Sequence, residues 1–485
     1  MGVERLDQIS SPQRPGRYSE FTKIEKWIII SVVSYATWFS GLSSFIYYPA
    51  INALSETLSV SIEKINLTIT SYLAVATVAP AMFGDFADVL GRRPVYLMTL
   101  SLYFVANVSI ALSKTYSALI GLRALQALAI SGTNAFVYGV IADIASPAER
   151  GSFVSVVSFS VTIGPSVGPI IGGLLTYAAG WPWIFWFLCI AAGLCLVLVI
   201  FLLPETCRQV VGSGLTPPPR YSRLPYQGFM HHWKGTNDQQ SRQSKTRTPN
   251  PLKSITILFR RDNTVVIFAA GLLYLVYTCV CTSLSVLFIE VYSLNQWQTS
   301  LIYLPFGVGS IVSTLISGPM LDTFYRNART RQGLPTDKIA GDDLGNFPIE
   351  KARLSVMWTP LAITILALVA YGWVVHYRRV CQPIAEIVCC PKLTTKAHCT
   401  TSCSSIHSWN VFTICFQPAQ ASSNLIRCTL ATIAVAFLQK MLDIMGAGWT
   451  YTLLSALGLM AMVLFCIDYR MGTKWRQAAL EPCNP

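Results

Sequence analysis

Charged side chains are scarce in this chain: Asp, Glu, Lys and Arg make up only 12% of its 485 residues, whereas 53% are hydrophobic. Soluble globular proteins carry about 25% charged residues, so the composition excludes an ordinary soluble domain. The sequence also lacks a phosphate-binding glycine loop with its Lys, a nucleophile motif and a convincing set of metal ligands. We therefore expect neither an enzyme nor a bound cofactor or metal, and we do not expect ATP as the direct energy source.

The chain contains many long apolar runs. A hydrocarbon core of about 30 Å needs roughly 20 apolar residues per helix. The sequence predicts spans near 27–48, 67–87, 95–112, 117–141, 152–177 and 183–203. A second set is predicted near 264–289, 299–319, 354–375, somewhere in 404–416, 424–442 and 449–468. The predicted fold class is an all-α membrane protein with roughly twelve helices in two halves of six.

The two predicted halves share a short charged turn between apolar runs. Gly84, Asp88 and Arg92 lie at and just after the end of the second span, and the same residue types recur as Gly318, Asp322 and Arg326. Many secondary transporters are built from two such related membrane halves. The repeat therefore predicts a transporter.

The net charge of +13 is concentrated in alternate loops, as the positive-inside rule expects. This placement argues against nucleic acid as a partner and puts both termini and the middle loop in the cytoplasm. We expect a cytoplasmic N-terminal tail (1–26), a six-helix bundle (27–206), a cytoplasmic linker rich in Pro, Gly and Ser (207–262), a second helix bundle (263–470) and a cytoplasmic tail (471–485). No cleaved secretory signal is expected, because residues 1–24 lack an apolar core.

Residues 380–416 do not fit this plan. They contain clustered Cys, His and Lys but no clean apolar run where the tenth span is predicted. An unusual outer loop with a short span, a metal site and a mistranslated stretch are the alternatives, and the usual zinc pair spacings are absent. We favour an aberrant gene model. Cysteines within the apolar spans, such as Cys189 and Cys279, are expected to act as small hydrophobes.

The turn after the second span has the composition of a conformational switch. Gly84 permits close helix approach, Gly91 permits unusual backbone angles, and Asp88 can pair with Arg92 or Arg93. The alternative is a topological anchor that only holds these bases on one side of the membrane. The five residues resemble the signature of the major facilitator superfamily, and this resemblance implies a twelve-helix fold with alternating access.

A charge lies inside the fourth predicted span. A buried arginine in a membrane is costly and by default indicates function. Arg123 and Gln126 resemble the Arg, two residues, Gln motif of the superfamily's fourth helix, which implies proton coupling by Arg123 with Gln126 as its hydrogen-bonding neighbour. Alternatively, Arg123 extends to the outer membrane interface.

The fifth span carries small residues and prolines. Small residues let helices pack in close contact, and proline kinks are tolerated in membrane helices. The pattern resembles the antiporter motif of the superfamily's proton-driven exporters and implies export. Its members are Gly164, Pro165, Gly168, Pro169, Gly172 and Gly173.

Several other side chains are candidates for function. Asp143 could bind a proton or pair with Arg150, and Asn66 begins a glycosylation sequon too near the membrane for modification to be expected. Tyrosines within spans could line a substrate cavity, although such aromatics more often serve packing. These candidates are Tyr47, Tyr72, Tyr138, Tyr274 and Tyr277.

Shorter stretches at 39–49, 142–151, 203–206, 303–307 and 347–351 resemble the fungal twelve-spanner drug:proton antiporters. The resemblance implies a monomeric, plasma-membrane transporter that couples proton entry to export of a drug, toxin or secondary metabolite. One alternative cargo is an organic acid similar to citrate or itaconate. Another alternative is a non-transporting membrane sensor or remnant.

Overall fold

A computed structural model describes residues 19, 21–145, 150–212, 219, 222–223, 261–292, 295–303, 323, 327, 330, 354, 358–377 and 416–480. All regular structure in these residues is helical. The predictions for Gly318, Asp322 and Arg326, and those for residues 380–416 except Phe416, lie outside them.

The N-terminal half contains nine described helices, several of which are segments of one membrane span. They are α1 (Lys23–Phe45), α2 (Ile51–Leu58), α3 (Ile62–Val89), α4 (Arg92–Leu112), α5 (Tyr116–Ser131), α6 (Thr133–Ile144), α7 (Arg150–Ala179), α8 (Pro182–Leu202) and the short α9 (Arg208–Val211). A capping box starts α1, where Thr22 and Glu25 satisfy each other's backbone N–H groups.

The described part of the C-terminal half contains α10 (Arg261–Tyr292), α11 (Gln296–Leu301), α12 (Trp358–His376) and α13 (Phe416–Leu480). Helix α13 is two helices joined at Gly446, whose φ of 73° and ψ of 168° are not helical. Glycine adopts such angles without a steric penalty. The predicted eleventh and twelfth spans therefore meet at one residue.

Membrane-length helices match the predicted spans. Eight helical stretches among the described residues are long and apolar enough to cross a membrane, and Leu361–His376 is a shorter apolar helix. Six of the eight correspond to the six N-terminal spans, and Ser423–Trp475 contains the last two. Large apolar side chains such as Ile190 and Leu366 are about 70% exposed, as lipid-facing residues should be.

The two halves meet along α1, α3, α10 and α13. The Ser285 hydroxyl of α10 donates to the Tyr48 carbonyl at 3.0 Å, beside the end of α1. Farther along the join, the Asn424 amide of α13 donates to the Ala76 carbonyl of α3 at 2.8 Å. One apolar core runs through both halves and includes residues of all four helices.

Candidate functional site

Arg92 is held between two carboxylates at one end of the N-terminal half. Its Nη2 lies 2.6 Å from Asp88 Oδ1, and its Nε lies 3.1 Å from Asp143 Oδ2. The side chains of Arg92 and Asp143 are 5% and 11% exposed, whereas that of Asp88 is 30% exposed. Asp143 thus pairs with Arg92. We call Asp88, Arg92 and Asp143 the charge cluster.

Glu205, just after α8, binds the backbone of Arg92 beside the charge cluster. Its Oε1 accepts hydrogen bonds from the backbone N–H groups of Arg92 at 2.8 Å and Cys207 at 3.0 Å. Its Oε2 accepts from the Ser222 hydroxyl at 2.6 Å. The carboxylate therefore caps the first N–H group of α4 and holds the start of the predicted linker against the N-terminal half.

Gly91 allows this close approach. Its φ of 104° and ψ of 157° lie in a region open essentially to glycine alone. A Cβ at Gly91 would lie 2.5 Å from Glu205 Oε2. At Gly84, by contrast, no described atom lies within 4 Å of the place where a Cβ would be. Among the described residues, no helix makes the close approach that was predicted at Gly84.

The neighbouring bases also bond within the N-terminal half. Arg93 donates from Nη2 to the Ile200 carbonyl at 2.8 Å and from Nη1 to the Arg223 carbonyl at 2.5 Å. Arg208 donates from Nε to the Asp143 carbonyl at 2.9 Å. Asp88, Arg92, Arg93 and Asp143 are thus brought together. Sequence reasoning gave Glu205 no role, although an acid directly after a span on the same side was a usable signal.

The glycines of α7 lie against the backbone of α1. A Cβ would fall 2.8 Å from the Trp38 carbonyl at Gly164, 3.1 Å from the Leu42 carbonyl at Gly168, and 2.0 Å from the Ile46 carbonyl at Gly172. Only hydrogen fits at Gly172. Pro165, Pro169 and Gly173 are buried in the same helix.

Arg123 lies between two tyrosine rings inside the N-terminal half. Its Cζ is 4.3 Å from the centroid of Tyr47 and 4.6 Å from that of Tyr72, distances typical of cation–π contacts. The residue is 1% exposed, so it does not extend to an interface. Among the described residues no carboxylate forms an ion pair with it.

A chain of amides anchors Arg123. Its Nη1 donates to Gln126 Oε1 at 2.6 Å, and Gln126 Nε2 donates to Asn107 Oδ1 at 2.7 Å. Asn107 in turn donates to the Tyr103 carbonyl at 2.7 Å. The sequence reasoning missed Asn107, which a polar side chain within an apolar span could have indicated.

The tyrosine candidates for a substrate cavity do not lie in one place. A hydrogen bond joins the hydroxyl groups of Tyr47 and Thr68, and the Tyr72 hydroxyl accepts a hydrogen bond from the Ser44 hydroxyl. Tyr274 and Tyr277 form a tilted ring pair on α10 at 5.9 Å, while Tyr138 packs against the core from α6.

Asn66 is 3% exposed within α3. A glycosylated asparagine must be accessible, so this sequon is shielded in the fold described.

Comparisons with known proteins decide the family. A family model described as the Major Facilitator Superfamily matches residues 33–336. The chain belongs to this superfamily. The MFS-type transporter phiD of a fungal species is 34% identical over 96% of this chain and 72% of its own. The MFS-type transporter clz19 of Cochliobolus lunatus is 34% identical over 99% and 90%. Citrate exporter 1 of Aspergillus niger is 32% identical over 97% and 90%.

Solved structures of superfamily members show the same fold. The xylose transporter XylE from E. coli, in a partially occluded inward-open conformation, superposes with a TM-score of 0.63 at 13% identity, covering 92% of this chain and 98% of that one. The human organic anion transporter MFSD10 gives 0.58 at 16% identity, over 91% and 99%. The predicted superfamily and fold are therefore confirmed, and the chain is a multi-pass membrane transporter of the fungal type.

Proposed function

We propose that this superfamily member is a proton-coupled exporter that moves a small organic molecule out of the cytoplasm by alternating access. The charge cluster is the observation that carries the proposal. It puts a carboxylate, Asp143, in a mostly buried ion pair with a base that also sets the start of α4. We further propose that the end bearing the charge cluster is cytoplasmic, with residues 207–262 as the linker between the halves, in the plasma membrane.

Protonation of Asp143 would change what holds Arg92. With a neutral Asp143, the strongest remaining side-chain partner is Asp88, which is more exposed and lies on α3. Protonating Asp143 would thus remove the more buried of the two carboxylate partners and leave the buried Arg92 with only the partly exposed Asp88, which weakens the compensation of its charge. Binding a proton at Asp143 would thus favour rearrangement of α4 against α3 and α6, and releasing it would restore the cluster.

The direction of transport rests on α7. The glycines of the antiporter-like motif leave α7 in backbone contact with α1, and such an interface can slide without displacing side chains. Together with the resemblance to proton-driven exporters, this contact supports export over import.

An organic acid is a second candidate cargo. Arg123 is buried and has no described carboxylate partner, so an anionic group on the cargo could compensate its charge. The relative named as a citrate exporter supports the same candidate.

Purified protein in proteoliposomes tests the proposal with two probes, radiolabelled citrate and rhodamine 6G. We expect flux of at least one probe to follow an imposed pH gradient while the membrane voltage is clamped. The Asp143→Asn variant should lose the response to the gradient but keep exchange of labelled for unlabelled probe. Asp443→Asn, which removes an exposed charge from α13, is the matched control. Flux that is undiminished after the gradient is collapsed would overturn proton coupling, and absence of both flux and exchange would favour the sensor or remnant.

A further inference from the structure

Arg427 is a second membrane arginine, on the first arm of α13 in the C-terminal half. Its Cζ lies 4.5 Å from the ring centroid of Tyr274, and its Nη2 donates to Asn424 Oδ1 at 2.9 Å. Its Nε is buried and has no hydrogen-bond partner in the described structure. The position repeats the pattern of Arg123: a tyrosine face, one amide partner and a buried Nε with none.

Both arginines are tied to one turn of α3 at the join between the halves. Arg123 lies against the Tyr72 ring, and the Asn424 partner of Arg427 donates to the Ala76 carbonyl. Tyr72 and Ala76 are four residues apart, about 6 Å along a helix. One guanidinium group therefore comes from each half. Arg123 contacts α3 directly at Tyr72, and Arg427 is linked to α3 through Asn424, whose bond to Ala76 lies one helical turn away.

The two charges need compensation that the described residues do not supply. Neither arginine forms an ion pair with a carboxylate in the described part of the chain. Arg123 is 1% exposed, whereas Arg427 is partly buried, with its Nε fully buried. A desolvated cation–π contact contributes roughly 2 kcal/mol, whereas burying an ion without a counter-charge costs several kcal/mol, a cost that applies in full to Arg123 and in part to Arg427. An anionic ligand between the halves would offset the remainder.

We propose that Arg123 and Arg427 form a two-cation site that binds a small organic molecule with two or more carboxylates at the join between the halves. Each arginine presents planar donors, the geometry that suits carboxylates best. This assignment rests on the proposed transport function and specifies its substrate class.

Arg427 could instead only hold Asn424 in place for the contact between the halves. That structural role would make every ligand bind more weakly by a similar factor when Arg427 is changed. A two-cation site predicts selectivity by ligand charge, because only ligands with a second carboxylate lose a contact.

Thermal stabilisation of the purified full chain by citrate, benzoate and rhodamine 6G separates these cases without any gradient. We expect citrate to bind most tightly to the wild type. In Arg427→Gln, citrate affinity should fall about tenfold or more, the effect of losing a charge-assisted hydrogen bond, while benzoate affinity changes far less. Lys440→Gln, an exposed position on the same arm, is the matched control and should bind citrate like the wild type.

The proposed site would be overturned if Arg427→Gln lost affinity equally for citrate and benzoate, or if it bound citrate as tightly as the wild type. Stabilisation of the wild type by rhodamine 6G but by neither acid would also overturn it. If Arg427→Gln fails to fold, Arg427→Lys keeps the charge but loses the planar donors, and it should bind citrate with intermediate affinity. Binding reports on the site and gradient-driven flux reports on the proposed function. Charge-selective binding with gradient-independent flux would therefore leave the site standing and remove proton coupling.

Discussion

The carboxylate of Glu205 accepts the backbone N–H of Arg92 at 2.8 Å across a separation of 113 residues. The residue that pairs with Asp88 and Asp143 through its side chain is thus positioned through its main chain by the segment after α8. Movement of that segment, to which Ser222 is also bound, would be transmitted directly to the charge cluster.

Gly91→Ala should destabilise the protein by about 2 kcal/mol or more. The backbone angles at Gly91 cost other residues roughly 1–3 kcal/mol, and the added methyl group would also displace Glu205. The unfolding temperature of the purified protein in detergent measures the effect.

Gly121→Ala is the matched control for that substitution. Gly121 is exposed on α5, and a Cβ there has no described atom within 4 Å, so alanine should be neutral or raise stability by up to about 1 kcal/mol. Equal unfolding temperatures for the two variants would show that Gly91 is not constrained as described.

Gly172→Ala should push α7 away from α1. The new Cβ would lie 2.0 Å from the Ile46 carbonyl oxygen, and overpacking of this kind costs roughly 1–3 kcal/mol. We expect a lower unfolding temperature and reduced flux in proteoliposomes.

At Gly193 on α8, a Cβ would meet Phe104 at an ordinary 3.4 Å, so Gly193→Ala serves as the control. Full flux and full stability in Gly172→Ala would contradict the contact between α7 and α1.

Asn107→Leu should leave the amide nitrogen of Gln126 without its acceptor. A buried donor that loses its partner costs about 1–3 kcal/mol, and Gln126 would also hold Arg123 less firmly. We expect lower thermal stability and weaker binding of citrate. Ser109→Ala on the exposed face of α4 is the control. If Asn107→Leu binds citrate as tightly as Ser109→Ala does, the amide chain does not position Arg123.

Cys207 should react slowly with maleimides near neutral pH. Burial raises the pKa of its thiol to about 11, so about one molecule in a thousand carries the reactive thiolate at pH 8. Because a raised pKa keeps the thiol protonated until high pH, labelling should speed up about tenfold per pH unit between pH 7 and 10.

Peptide mapping by mass spectrometry would follow this site separately from the other cysteines. The same peptide in SDS-unfolded protein provides the reference rate. Since Cys207 donates to the Asp88 carbonyl at 3.4 Å, Arg92→Ala should open the region and accelerate labelling. Native labelling as fast as that of unfolded protein would contradict the burial.

Sequence alone predicted the class and much of the layout, because membrane spans are read from length and hydropathy. The six N-terminal spans agree with the helices to within several residues, and of the two bases expected as partners of Asp88, Arg92 and Arg93, the structure pairs it with Arg92. These features depend on residues that are close in the chain.

The missed residues depend on contacts between distant segments. The position of Glu205 directly after a span marks it as a candidate, but nothing local to it indicates that it caps α4, and nothing local to Arg427 places its Asn424 partner against α3. The partner of Asp143 was missed as well, since Arg150 was the only partner considered and Arg92 meets Asp143 only once α4 and α6 are positioned.

The junction at Gly446 has a mechanical consequence. With a single non-helical residue between its arms, and with His376 of α12 beside that residue, α13 is a hairpin with no slack. The ends of the two arms at Gly446 therefore cannot move apart, so a displacement of that end of the arm carrying Arg427 is passed directly to the arm carrying Tyr451.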